Sequence, residues 1–233
     1  MKIALIGYGK MGHAIEALAA ERGHNVVCII DKELKQGELR EADVAIEFTT
    51  PQTAVANMER CLREGVPVVC GTTGWYADYE KVASECRAQG GRLFTATNFS
   101  IGMNIMFALN RWLAELMKGR GDYSVSIAET HHIHKLDAPS GTAISLQEQI
   151  VESGERSAAD VPISSYRVGE VPGTHTVVYD SKIDTLTLTH EAHSREGLAL
   201  GALTAAEWLV QAAPGVYTMR DLFSEGVKGS EKE

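Results

Sequence analysis

The chain has 233 residues, of which 44% are hydrophobic and 23% charged, and a formal net charge of −9 at neutral pH. That length accommodates one large domain or two of roughly 100 to 130 residues each. The acidity argues against a broad basic face for nucleic acid, and no apolar run approaches the roughly 20 residues of a membrane span, so neither kind of partner is expected.

Residues 2–6, Lys2-Ile3-Ala4-Leu5-Ile6, form an apolar run that stops at Gly7. It is too short for the core of a signal peptide and reads as a buried strand. Helical spacing follows over 11–21 through Ile15, Leu18 and Ala19, and 25–30 is again continuously apolar. Segments 44–48, 66–70 and 92–96 repeat the buried-strand pattern, with helices expected at 53–64 and 76–89. Alternation of this kind predicts a parallel sheet with helices on both faces. The stretch between Asp31 and Val44 is charged and broken by Gly37, leaving room for a helical turn at most. Cys28, Cys61, Cys70 and Cys86 show no CxxC or metal spacing and are expected to be packing residues in a reducing cytoplasm.

A second unit is expected to begin at residue 101. Met106, Leu109, Leu113 and Leu116 predict a helix over 101–118 that stops at Gly119 and Gly121. Strands are expected at 123–130, 163–168, 174–179 and 185–189, and helices at 142–151 and 197–211. Strict alternation over 184–190 predicts one buried and one polar sheet face. The charged tail is expected to fray after Gly226. The fold class is therefore α/β, a Rossmann-like parallel-sheet domain plus a second α+β domain with an open mixed sheet.

Gly7-Tyr8-Gly9-Lys10-Met11-Gly12 follows a strand and opens a helix. Gly7 allows the tight turn, Gly9 lets backbone approach a pyrophosphate, and Gly12 permits close helix-to-strand packing, while the helix N-terminus supplies oriented N–H groups. Asp31, at the end of the second strand, is placed to accept hydrogen bonds from the adenosine ribose and to repel a 2′-phosphate, a repulsion that Lys32 can offset. This predicts a nicotinamide dinucleotide, with use of both NADH and NADPH and NADH equal or preferred. Phe48-Thr49-Thr50-Pro51 and Cys70-Gly71-Thr72-Thr73-Gly74 lie at the carboxyl ends of strands, where ligands bind in open α/β sheets.

The segment from Glu129 to Ala143 contains His131, His132, His134, Lys135 and Ser140-Gly141-Thr142. His131 and His132 follow an expected strand, so their rings should point to opposite sides, with one facing the reacting atom. Lys135 provides a cation, and Ser140, Gly141 and Thr142 lead into a helix whose N–H groups and hydroxyls can receive a carboxylate. No metal is expected, because three histidines without a cysteine pair or HExxH fall short of a zinc site. Ser140 lacks the GxSxG elbow of a hydrolase nucleophile. His190 and His193 read as polar residues at a strand end, and Arg195 as a residue that closes on the substrate or lies at a hinge.

These motifs, with Asn98-Phe99-Ser100-Ile101-Gly102-Met103-Asn104 and Met219-Arg220-Asp221, resemble the 4-hydroxy-tetrahydrodipicolinate reductase (dihydrodipicolinate reductase) family over nearly the whole chain. The HHxxKxDAPSGTA core is the most specific of them. The resemblance implies that His131 is the proton donor, that Lys135 assists, and that His132, Gly141 and Thr142 hold a small dicarboxylate substrate. It also implies that Gly7 to Gly12, Asp31, Gly71, Thr72, Thr73, Ala96, Thr97, Asn98 and Phe99 bind the dinucleotide. A dinucleotide domain of 1–100 plus 196–233 is implied, with Ser100 and Arg195 near the hinges to a substrate-binding and oligomerisation domain of 101–195, in a homotetramer. Asp31-Lys32 stands where an acidic residue followed by arginine is common, and Thr50 where some relatives place an arginine. Both departures weigh against a preference for NADPH. Another dehydrogenase of amino acids or semialdehydes, or a silent NAD(H) sensor, would account for the glycine turn but not for the His131 to Thr142 segment.

Overall fold

The computed structural model of the chain describes residues 1–32, 34–194 and 196–227. They divide into two compact units, one made of 1–100 with the chain from 196 on and one of 101 up to 194. Arg195 and the tail from 228 lie outside the described residues.

The first unit runs β1 (Lys2–Ile6), α1 (Lys10–Glu21), β2 (Asn25–Ile30), β3 (Lys35–Gln36), β4 (Val44–Glu47), α2 (Pro51–Arg63), β5 (Val68–Cys70), α3 (Tyr79–Ala88) and β6 (Arg92–Thr95). The second holds α4 (Ile101–Leu116), β7 (Ser124–His131), α5 (Gly141–Glu152), β8 (Ile163–Arg167), β9 (Gly173–Asp180) and β10 (Thr185–Ala192). The chain then returns to the first unit with α6 (Glu196–Gln211), β11 (Gly215–Tyr217) and α7 (Met219–Val227).

Among the described residues the first sheet has the order β11-β6-β5-β4-β1-β2-β3, parallel except where β3 pairs antiparallel with β2. The central strands β1, β4 and β5 are buried on both faces, which is why they are apolar at nearly consecutive positions. Ala4 and Ile6 pack with Ala54, Met58 and Cys61 of α2 and Val82 of α3. Ile3 and Leu5 point the other way, onto Ile15 of α1 and the Ala199 to Leu209 face of α6. A Cβ at Gly201 would lie 1.7 Å from the Phe99 carbonyl oxygen, so only glycine lets α6 approach this closely. Helix α2 begins with a capping box between Thr50 and Thr53 and proline in its first turn.

The sheet of the second unit has the order β10-β9-β7-β8, with β8 parallel to β7 and the other neighbours antiparallel. Val125 and Ile127 of β7 and Val177 and Tyr179 of β9 pack against Met103 and Met106 of α4 and Leu146 and Ile150 of α5. By strand alternation the opposite face carries Ser126, Ala128, Thr130, Thr174, Thr176 and Val178.

Several elements differ from the sequence expectations. The short β3 and β11 and the helix α7 were not anticipated. The turn at Leu39–Glu41 fits the abbreviated connection. Helix α4 stops at Leu116 and β5 starts after Pro67, which has no N–H to give a ladder. Alternation in β10 does not bury a face throughout. It is an edge strand, and Leu186 stands exposed while Leu188, His190 and Ala192 are half-buried.

Candidate active site

Strands β1, β4, β5 and β6 are parallel, so the turns at 7–12, 48–50, 71–74 and 96–98 all leave the same edge of the first sheet. Gly7 has φ +92°, and a Cβ there would lie 2.0 Å from the Phe48 carbonyl oxygen. A Cβ at Gly12 would meet the Gly7 carbonyl oxygen at 2.5 Å, whereas at Gly9 nothing stands within 4 Å. Backbone at Gly9 is thus open beside the start of α1, and Lys10 and Gly9 are exposed there. Tyr8 and Met11 are half-buried, the Tyr8 hydroxyl bonding to Glu16. The Asp31 carboxylate closes this turn by accepting from the Tyr8 N–H at 3.2 Å and the Lys32 N–H at 2.7 Å. This cradle fits a dinucleotide pyrophosphate, with Asp31 and the exposed Lys32 side by side at the end of β2.

The neighbouring turns are tied together. Thr72 is buried, its hydroxyl accepting from the Thr49 N–H at 2.7 Å and its carbonyl from the Trp75 indole at 2.8 Å. A Cβ at Gly71 would overlap the Phe48 ring, 2.1 Å away. Thr73 and Thr97 are exposed, Ala96 and Asn98 half-buried, and the Asn98 amide oxygen accepts from the Ser100 N–H. Phe99 instead turns into the core between Phe48 and Phe94. Beneath these turns lies Glu47, fully buried and read from sequence as mere strand, which accepts from Thr49, Asn57 and the Cys70 thiol.

In the second unit β7 extends one residue further than anticipated, so His131 is its last residue and lies on the inward face with Val125, Ile127 and Glu129. That face changes from apolar to ionisable along one strand. His131 is 8% exposed, and its Nδ1 bonds to the fully buried Glu129 carboxylate. Parallel pairing sets Arg167 of β8 beside His131, and antiparallel pairing sets His175 of β9 opposite Glu129. The Arg167 guanidinium meets both Glu129 oxygens, at 3.0 and 3.1 Å. It also donates to the carbonyls of Lys135 and Asp137, fixing the loop that follows β7.

Helix α5 begins at Ser140, whose backbone N–H donates to Glu129 Oε1 at 3.3 Å. The Ser140 hydroxyl accepts from the Ala143 N–H at 3.2 Å and meets His175 Nε2 at 3.1 Å. Ser140 is 2% exposed, so its side chain serves as a cap, and the more exposed Gly141 and Thr142 form the rim of the turn. Lys135 Nζ holds both Asp137 oxygens, at 2.7 and 2.9 Å. His132 is half-buried, whereas His134 is exposed and paired with Glu170. Among the described residues no group of three or more His, Cys, Asp or Glu side chains is arranged to hold a metal ion.

Burial presses the Glu129 carboxyl upward, but hydrogen bonds from Arg167, Ser165 and His131 outweigh it and hold the group below the usual carboxylate range. Burial pushes the His131 ring below the ordinary histidine value, with the Lys135 and Arg167 charges adding to this against the pull of Glu129. His175 is driven down to about 4, by burial first and then by His131. The Lys135 ammonium, with the Gly141 N–H also contributing, holds Asp137 well ionised.

The structure therefore brings His131, Lys135, Ser140, Gly141 and Thr142 into one neighbourhood and adds Glu129, Arg167 and His175. Glu129 had a sequence signal, since two residues before His131 on a strand means the same face. Arg167 and His175 had none, being contributed by strands whose pairing is not written locally.

The model of "Dihydrodipicolinate reductase, N-terminus" matches residues 1–99, and that of "Dihydrodipicolinate reductase, C-terminus" matches 102–223. A 4-hydroxy-tetrahydrodipicolinate reductase of Christiangramia forsetii is 45% identical over 236 residues, covering 97% of this chain and 98% of that protein. One of Methanopyrus kandleri is 37% identical, covering 82% and 74%. The fold is that of the dipicolinate-bound dihydrodipicolinate reductase from Paenisporosarcina sp. TG-14, with a TM-score of 0.80 at 22% identity over 95% of this chain and 99% of that one. A cradle suited to a nicotinamide dinucleotide, a buried histidine beside an anion turn, and family matches over both halves have one meaning: the chain belongs to the dihydrodipicolinate reductase family of oxidoreductases.

Proposed function

We propose that the protein reduces 4-hydroxy-tetrahydrodipicolinate to tetrahydrodipicolinate with NADH or NADPH, in the cytoplasm, as a step of diaminopimelate and lysine biosynthesis. The observation that carries this reading is a buried histidine joined to a helix-capped anion turn through one carboxylate, Glu129. Residues 1–100 with 196–233 act as the dinucleotide-binding domain, with Gly7, Gly9, Gly12, the start of α1 and Asp31 as the residues that would hold the nucleotide. Residues 101–195 bind substrate and form the oligomer.

Loss of water from the substrate ring leaves a conjugated cyclic imine dicarboxylate, which accepts hydride and then a proton. When bound, the reduced nicotinamide supplies the hydride. His131 donates the proton: burial favours its neutral ring in the resting protein, and arriving carboxylates add the negative charge that favours the imidazolium. Lys135 exchanges Asp137 for one substrate carboxylate, while the N–H groups of Gly141 and Thr142 receive the other, with His132 beside them. Fixing both carboxylates aligns the ring carbon, and such alignment supplies a large part of the rate.

A homotetramer joined through the outward face of the second sheet fits the small side chains there, from Ser126 to Thr176. The four described cysteines are buried thiols, as suits a reducing compartment.

Freshly generated 4-hydroxy-tetrahydrodipicolinate, followed by loss of the reduced-nicotinamide absorbance, tests the reading. Turnover with either nucleotide, falling roughly 100- to 10,000-fold in His131→Gln, is expected. No turnover would leave another dehydrogenase or a silent nucleotide sensor, which amino-acid and semialdehyde substrates would tell apart.

A further inference from the structure

Glu129 is fully buried, lies two residues from His131 on the same face of β7, and makes its bonds to groups of β7, β8 and the start of α5. One oxygen faces His131 Nδ1 and Arg167, and the other faces Arg167 and the Ser140 N–H that opens α5. A carboxylate held ionised by a guanidinium can only accept, so the proton on this side of the imidazole must reside on Nδ1. The remaining nitrogen, Nε2, is then the atom that takes up and releases the exchangeable proton. At the start of β9 residue 173 is glycine, and a Cβ there would lie only 3.0 Å from Nε2.

We infer that Glu129 is the positioning residue of the reaction: it fixes the His131 tautomer, supports the imidazolium, and sets the proton donor at a constant distance from the anion turn. Arg167 keeps it ionised. This rests on the proposed reduction, in which His131 donates the proton. Glu129 itself touches neither substrate nor nucleotide, and its influence passes through His131 and Ser140. The charged and titratable groups facing His131 are Glu129 on its own strand, Arg167 from β8, His175 from β9 and Lys135 from the following loop. Of these Glu129 alone favours the imidazolium, so its neutralisation has a defined sign. The His131 pKa falls, and the alkaline limb of the rate profile moves to lower pH.

The test uses the full chain as Glu129→Gln and as Glu129→Gln with Arg167→Met. The double variant replaces the buried ion pair by a neutral pair, so that folding is not lost to a stranded guanidinium. Long-range proton–nitrogen spectra of labelled protein read the His131 tautomer without substrate. The parent is expected to show Nδ1–H with Nε2 bare, and both variants a mixture of tautomers. In turnover, Glu129→Gln should lower kcat about 10- to 100-fold near neutrality, with the alkaline limb about one pH unit lower and KM for NADH within about twofold of the parent. The double variant should shift less, because the Arg167 charge that also lowers the His131 value is gone. A parent ring protonated on Nε2, or folded variants with the parental tautomer and pH profile, overturns the inference. A parent with the Nδ1–H ring that does not reduce 4-hydroxy-tetrahydrodipicolinate supports the placement of Glu129 and rejects the reaction instead.

Discussion

Gly173, the first residue of β9, leaves open the space in front of His131 Nε2: a Cβ there would stand 3.0 Å from that nitrogen. Glycine serves two ends here, since the backbone φ of +156° favours it and the absent Cβ leaves the imidazole uncovered. Gly173→Val should push a branched side chain onto the proton-donating nitrogen. Turnover of the folded protein should fall by about 100-fold or more with nucleotide affinity little changed, while the φ of +156° at this position strains any side chain and lowers the thermal midpoint as well. A Gly173→Val protein with parental kcat would mean that Nε2 is not the working atom.

Lys135 and Asp137 make opposite predictions for the anion site. Lys135→Ala should weaken competitive inhibition by pyridine-2,6-dicarboxylate by roughly 1.5 to 3 kcal/mol, the range for a hydrogen bond to a charged group. Asp137→Asn removes the carboxylate that holds Lys135 Nζ at 2.7 and 2.9 Å, so inhibition should strengthen. Inhibition constants for the two variants, measured against the parent, decide the matter. Movement in the same direction would show that Asp137 does not compete for the lysine.

His175 gives stability a pH dependence of known sign. Its folded value of about 4 lies below the ordinary histidine value of 6.5, so between them the unfolded chain binds more protons and stability rises with pH. The contribution is present above about pH 6.5 and is lost as pH falls toward 4. At roughly 1.4 kcal/mol per unit its full extent is on the order of 3 kcal/mol. Thermal midpoints between pH 7 and 4.5 should therefore drop less steeply in His175→Gln than in the parent. Parallel curves would place His175 outside this effect.

Nucleotide choice turns on Asp31 and Lys32. Their exposure at the end of β2 leads to use of both nucleotides with NADH equal or preferred, and to a selective effect of Lys32→Ala. KM for NADPH should rise by up to roughly fivefold and that for NADH by less, since an exposed charge contact is worth about 1 kcal/mol or less. Added salt should shrink the difference. A parent strictly dependent on NADPH would contradict this assignment.

Strands β1, β2, β4, β5 and β6 were legible because each holds a short apolar run that ends at a turn residue or a helix cap. Gly7, Gly9 and Gly12 declared their duties by their spacing together with the strand before them and the helix after. What escaped notice was set by distant pairing. Strand β11 is three residues long and exists through its ladder with β6, 120 positions or more earlier in the chain. Arg167 and His175 look like ordinary polar residues of alternating strands until β8 and β9 are laid beside β7. The sequence offers Ser140 both as a helix cap and as part of the anion turn, and its hydroxyl is engaged by Ala143 and His175, as a serine before a helix satisfies the helix first.

The return of α6 and β11 to the first unit has a consequence for synthesis on the ribosome. Ile3, Leu5, Ile46, Val69 and Phe94 are covered by Ala199 to Leu209, which emerge only after residues 101–195 have been translated. Until then only α1 covers this face of the nascent sheet and β6 has an unpaired edge, the kind of surface that chaperones bind and that drives aggregation. The inserted unit carries its own core and suffers no such delay. The segment made first is thus the one that finishes last.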